Sequence, residues 1–212
     1  MASTLSHGVT FSAGTPCFRI TSRNQFTTSS TLHVKVVNGQ GALKSTNGAR
    51  YNYPGVITVY LTENIDTCLA EKAFYFQQEY LQSLDGFHMR NPMGGVGPAP
   101  AIDAVLWRIE FAIDIHNIAN LNAVSAGFFG VFPCMMTNPS QDYWHLKHRR
   151  ANMQAVGYSG LFAPSSRSCA GGRLLVIFGD QSANVARIDP VEISMRLLSN
   201  PNPPPNPFLN HK

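Results

Sequence analysis

Two hydrophobic periods run along this chain. A period of two marks short strands at 17–20 (CFRI), 32–37 (LHVKVV), 56–61 (VITVYL), 104–115 (AVLWRIEFAIDI), 158–163 (YSGLFA), 174–178 (LLVIF) and 191–197 (VEISMRL). A helical period replaces it at 65–84, where Ile65, Leu69, Ala73, Phe76, Tyr80 and Leu84 form one stripe, with Asn64 or Asp66 as the cap. A second helix is expected at 140–155, after the Asn138-Pro139 stop. Glycine and proline mark loops at 38–48 and 86–101. Residues 1–15 are a polar lead-in, 16–198 a single domain, and 199–212 (SNPNPPPNPFLNHK) a Pro/Asn-rich, polyproline-like tail. Many short strands with two helices, not in β-α-β alternation, predict an α+β fold.

Composition narrows the class. At 212 residues, 44% apolar and 13% charged, the chain can bury one sizeable core. The net charge of +4 mildly favours anionic ligands, but the 16 basic residues form no track of the kind nucleic acids need. Cys17, Cys68, Cys134 and Cys169 lie too far apart for a zinc motif and read as buried thiols in a reducing compartment. No uninterrupted apolar run reaches membrane-spanning length, and MASTLSHGVTF lacks a signal peptide's basic and apolar regions, so the expectation is a cytoplasmic protein. Phosphate loops of the Rossmann and Walker kinds are missing, and HxxH at His145 and His148 lacks a third metal ligand.

The candidate chemistry concentrates between Arg50 and Glu71. Arg50 follows a glycine-rich loop, Tyr60 stands ten residues on near the end of a strand, and Glu71 follows eleven later on a helix. An arginine fork suits a phosphate or pyrophosphate, or simply a surface carboxylate. Tyr60 either lines a cleft and stacks on a ligand ring or is an amphipathic boundary residue. Glu71 can stabilise a ribosyl oxocarbenium ion or hold a ribose hydroxyl; a solvated helix glutamate is the bland alternative. Ser165, Ser166 and Arg167 follow a strand and offer hydroxyls at its mouth.

Taken together and in order, these residues resemble a known family. The run Arg50-Tyr51-Asn52, then Tyr60-Leu61, then Glu71 resembles the core of the RES domain family. The Ala163-Pro164-Ser165-Ser166-Arg167 stretch resembles its serine motif, and 17–20 its opening aromatic–arginine strand. The resemblance implies a split mixed sheet with flanking helices, as in ADP-ribosyltransferase toxins, and NAD as substrate rather than cofactor. It implies catalytic places for Glu71, Tyr60 and Arg50, and substrate-binding places for Arg19, Asn52, Ser165 and Ser166. It also implies a toxin that depletes NAD and an antitoxin that blocks its active site. The reaction is then NAD glycohydrolysis or phosphorolysis. ADP-ribosyl transfer and a non-catalytic nucleotide-binding module are the alternatives. Glu63, eight residues before Glu71, does not match the two-apart carboxylate pair common in transferases. The oligomeric state stays open, a homodimer included.

Overall fold

A computed structural model describes residues 5–22, 49–72, 104–122, 125–131, 143–165, 167 and 171–191. Among the described residues there are eight strands: β1 (Gly8–Phe11), β2 (Cys17–Ser22), β3 (Thr58–Thr62), β4 (Ala104–Phe111), β5 (Ile115–Asn120), β6 (Gly160–Pro164), β7 (Arg173–Phe178) and β8 (Val185–Val191). Helix α1 is described over 65–72, and α2 is Trp144–Ala155. The strands make one sheet in the order β1-β5-β6-β7-β3-β2-β4-β8. The β5–β6 pair is parallel and the other pairs among the described strands are antiparallel, so the sheet is mixed and the fold is α+β, as expected.

The β4–β5 connection shows that this sheet is rolled. Four strands separate β4 from β5 in the order, yet only Ala112–Asp114 connects them. Three linking residues reach at most about 14 Å. Five strand spacings in a flat sheet would need about 24 Å. The ends must therefore curl together, and Phe11 of β1 does pack edge-to-face on Phe111 of β4 at 6.2 Å. The enclosed face holds Val59, Leu61, Ile109, Ile118, Leu175 and Ile177. The opposite face of β3, β5, β6 and β7 presents Tyr60, Ala119, Leu161 and Val176 to Leu146 and Met153 of α2. Because β7 is covered on both faces, its sequence is an unbroken apolar run rather than an alternating one.

Two sequence expectations change. The strand expected at 104–115 breaks at a corner, where Asp114 accepts a hydrogen bond from the Ala13 N–H (2.8 Å) and Ile113 is exposed. The alternation continues through this corner, so periodicity alone did not mark it. Residues 192–197 of the strand expected at 191–197 lie outside the described residues, and β8 ends at Val191. Strand β8 includes Pro190, which is tolerated because β8 pairs only with β4 and lies at the sheet edge. Within the lead-in, Gly8–Phe11 forms edge strand β1 and buries Phe11. The expected strand at 32–37, α1 beyond residue 72, the 86–101 loop, Ser166, Cys134, Cys169 and the 199–212 tail lie outside the described residues.

Gly160 is held tightly where three strands meet. It pairs with Ile118 on one side and Ile177 on the other. A Cβ there would lie 2.5 Å from the Val176 carbonyl oxygen and 2.9 Å from Ile118 Cδ1. Backbone cannot yield as a flexible side chain does. Gly160→Ala is therefore expected to cost about 2–3 kcal/mol, read as a lower urea midpoint at unchanged m-value.

Candidate functional site

The site forms where the sheet is weakest. β2 and β4 pair along all six residues of β2, but β2 and β3 meet only at Phe18–Thr62. Side chains take over where the ladder stops. Arg19 Nη1 donates to the Tyr60 carbonyl (3.4 Å), and Thr62 Oγ1 donates to the Phe18 carbonyl (3.3 Å). Arg19 shares its face of β2 with Cys17 and Thr21, and burial lowers its pKa to about 10, with Cys68 and Tyr60 acting the other way. It remains a cation at neutral pH.

Helix α1 starts directly after β3. Asn64 Oδ1 accepts the Thr67 N–H at 2.8 Å, which makes Asn64 the cap and carries Cys68 and Glu71 across the split. Cys68 is buried, and burial pushes its thiol up to about 11, against the pull of Thr62 and Arg19. It is thus a neutral thiol at physiological pH and no nucleophile. Cys17 is also buried, with its thiol pushed up by burial and then by Glu110; both cysteines are free.

Arg50 is carried by a tight turn. Ala49 and Asn52 exchange two backbone hydrogen bonds (3.1 and 3.3 Å), so Arg50 and Tyr51 form its tip. Tyr60 clamps this turn: its hydroxyl donates to Asn52 Oδ1 (2.7 Å) and accepts the Tyr51 N–H (3.0 Å). The Asn52 amide nitrogen donates to the carbonyls of Tyr53 (3.0 Å) and Val56 (3.3 Å). Asn52 is fully buried, so in this arrangement it builds the turn and offers no surface to a ligand. Tyr60 likewise binds its hydroxyl into the scaffold and stacks on Tyr51 at 6.5 Å.

The Arg50 guanidinium lies 5.2 Å from the Tyr143 ring centroid, just before α2. Burial disfavours its charge, but Tyr51, Glu71 and Tyr143 outweigh that, and its pKa is raised. The Glu71 field therefore reaches Arg50. Just past the end of β6, the Ser165 hydroxyl donates to Glu71 Oε1 at 2.6 Å, and Ser165 Oγ accepts the Arg167 N–H at 3.1 Å. The structure thus brings Arg19, Arg50, Tyr60, Glu71 and Ser165 to one region, with Asn52 beneath it.

Glu63 has a different task. Its two oxygens meet Arg173 Nε and Nη2, each at 2.5 Å, in an exposed bidentate pair. The cationic run on α2 divides between surface and interior. His145, His148 and Arg149 are exposed, but Lys147 and Arg150 are buried. Sequence reading passed over Tyr143 and Arg150, because nothing local shows that α2 packs on β3 and β7. Among the described residues no three His, Cys, Asp or Glu side chains gather as metal ligands, and no helix is long and apolar enough to cross a membrane.

A rolled, split mixed sheet with an Arg–Tyr–Glu–Ser cluster at the split defines the class, and the chain belongs to it: the family model for the RES domain matches residues 16–198, so this is a member of the RES domain family. Among solved structures, a chain in the crystal structure of the M. tuberculosis MbcT–MbcA toxin–antitoxin complex has the same fold. It superposes with a TM-score of 0.57 at 16% identity, over 87% of each chain. A search of curated proteins found no match.

Proposed function

We propose that this protein cleaves the nicotinamide–ribose bond of NAD, as a glycohydrolase or phosphorylase, and acts in the cytoplasm as a toxin that depletes NAD. One observation carries the reading: a carboxylate, Glu71, is held by Ser165 on one side and lies in the field of the buried Arg50 on the other. The two groups suit the two ends of the reacting half of NAD. Arg50 and Arg19 take the pyrophosphate, and Glu71 faces the ribose. Bound nicotinamide is already cationic, so its departure needs no general acid. The C1′–N bond breaks with its electron pair going to nicotinamide. Glu71 offsets the positive charge left on the ribosyl carbon. Water then adds and releases a proton, or inorganic phosphate adds to give a 1-phosphorylated ADP-ribose.

Arg50 and Arg19 differ in what they do without ligand. Burial lowers Arg19's pKa, so its folded-state value lies below that of an unfolded chain. A base whose folded pKa is depressed opposes folding at every pH below that pKa, neutral pH included. An anion beside it reverses this. Arg19→Met is therefore expected to raise the melting temperature of the free protein, while weakening NAD about tenfold by titration calorimetry.

Transfer of ADP-ribose to a macromolecule is less well supported, because Glu63 is engaged by Arg173 and is not poised beside Glu71 as an acceptor-orienting group. The structural neighbour comes from a toxin–antitoxin complex, and we extend that pairing to this chain as a cognate antitoxin. The decisive experiment incubates the purified protein with NAD, with and without phosphate, and resolves the products by chromatography. Release of nicotinamide is the expected result, and phosphate dependence separates phosphorolysis from hydrolysis. Intact NAD under both conditions would leave a non-catalytic binding module as the reading.

A further inference from the structure

Arg150 is a buried cation that the chemistry above does not use. It is 5% exposed, in the middle of α2. Its guanidinium sits 4.4 Å from the Phe178 ring centroid, Nη1 donates to Gln154 Oε1 (2.6 Å), and Nη2 donates to Thr58 Oγ1 (3.3 Å). Its Nε is buried without a hydrogen bond. No Asp or Glu stands among these partners. A guanidinium taken from water without a carboxylate is expensive, and an apolar side chain of similar volume would join α2 to the sheet as well or better. Adhesion alone therefore does not explain the charge.

Its location does. Thr58 pairs with Phe178 across β3 and β7, so Arg150 caps that pair from α2. Tyr60 is two residues from Thr58 and shares its face of β3. Tyr60 packs against the same core cluster as Leu146 and Met153 of α2. The Tyr60 phenol clamps the turn carrying Arg50, and Tyr143, at the start of the same helix, lies over the Arg50 guanidinium. Helix α2 therefore meets the Arg50 assembly directly through Tyr143 and, one step removed, through the Arg150–Thr58 contact on the strand that carries Tyr60.

We propose that Arg150 is a positioning residue, which braces Tyr60 from α2 and thereby fixes the 49–52 turn and the Arg50 fork. Only the kinetic arm of its test rests on the NAD reading. The probes are Arg150→Met, which keeps volume and loses the cation and its donors, and Arg150→Lys, which restores the charge without the fork. Arg150→Met should melt within a few degrees of the parent, or higher. Exchange of the Tyr51 amide, which donates to Tyr60, should nonetheless rise at least about tenfold while β7 amides keep their protection. With NAD, KM should rise about tenfold and kcat should stay within about twofold, with Arg150→Lys in between.

Two results would overturn the proposal: unchanged Tyr51 exchange in Arg150→Met, or a uniform rise across β3 and β7, which marks simple adhesion. If Arg150→Met does not fold, Thr58→Val removes the acceptor alone. Its Tyr51 exchange should then rise about threefold, and no change would equally refute the brace. If the parent protein leaves NAD intact, the exchange measurement still decides on Arg150, so the two readings fail separately.

Discussion

Glu71→Gln is expected to lower NAD turnover by about 100- to 1000-fold, the usual range for removing one group aimed at developing charge. The substitution isolates charge from shape. Glutamine keeps an Oε1 that accepts the Ser165 hydroxyl, the 2.6 Å contact joining α1 to the end of β6. Its amide adds no volume. Glu71 is only partly buried, so folding has little stake in its charge. Melting should therefore stay within a few degrees, while kcat falls and KM changes little, because the charge matters most as the glycosidic bond breaks. A fully active Glu71→Gln enzyme would place the essential carboxylate elsewhere. Ser165→Ala distinguishes orientation from charge. It frees the Glu71 side chain but leaves its negative charge, so its loss should be smaller, about tenfold, the scale of one hydrogen bond.

The sequence was most informative where structure is local. The β-branched run around Val59 and Leu61 became a strand buried on both faces, and Asn64 capped the helix that follows it. The Arg50–Glu71 order was legible because turn, strand and helix follow one another without interruption, so spacing fixes relative placement. What escaped depended on distant partners. Ser165 reaches Glu71 across 94 residues of chain, and Arg150 reaches Thr58 across 92. A charged residue on a helix reads as solvent-facing until the strand it covers is known. The corner at 112–114 was hidden for a related reason: the alternation remains in phase, and only rolling of the sheet forces the chain to turn. Asn52 and Tyr60 show the same limit at the site itself. The resemblance gave them places in the site, but in the structure their polar atoms hold the turn together.

The assignment of Arg50 to the pyrophosphate has a consequence that separates it from any role at the ribose. Arg50→Lys preserves the positive charge beside Glu71 and Tyr51 but removes the planar fork that can meet two phosphate oxygens at once. With NAD, kcat/KM should fall by about 30-fold, within the 1.5–3 kcal/mol typical of hydrogen bonds to a charged group. Nicotinamide riboside carries the same scissile bond without the pyrophosphate. On that substrate the parent enzyme should be slow, having lost the anchoring half of its ligand, and Arg50→Lys should cost less than about threefold more. The ratio of the two losses is the measurement. Equal losses on both substrates would move Arg50 to the reacting end, where it would act through Glu71. A second comparison fixes the geometry: Tyr143→Leu removes the ring over the guanidinium at 5.2 Å, leaving the fork intact but less constrained. Its loss should follow the same substrate dependence at smaller magnitude, about fivefold on NAD, because the ring restricts where Arg50 points rather than supplying a contact of its own.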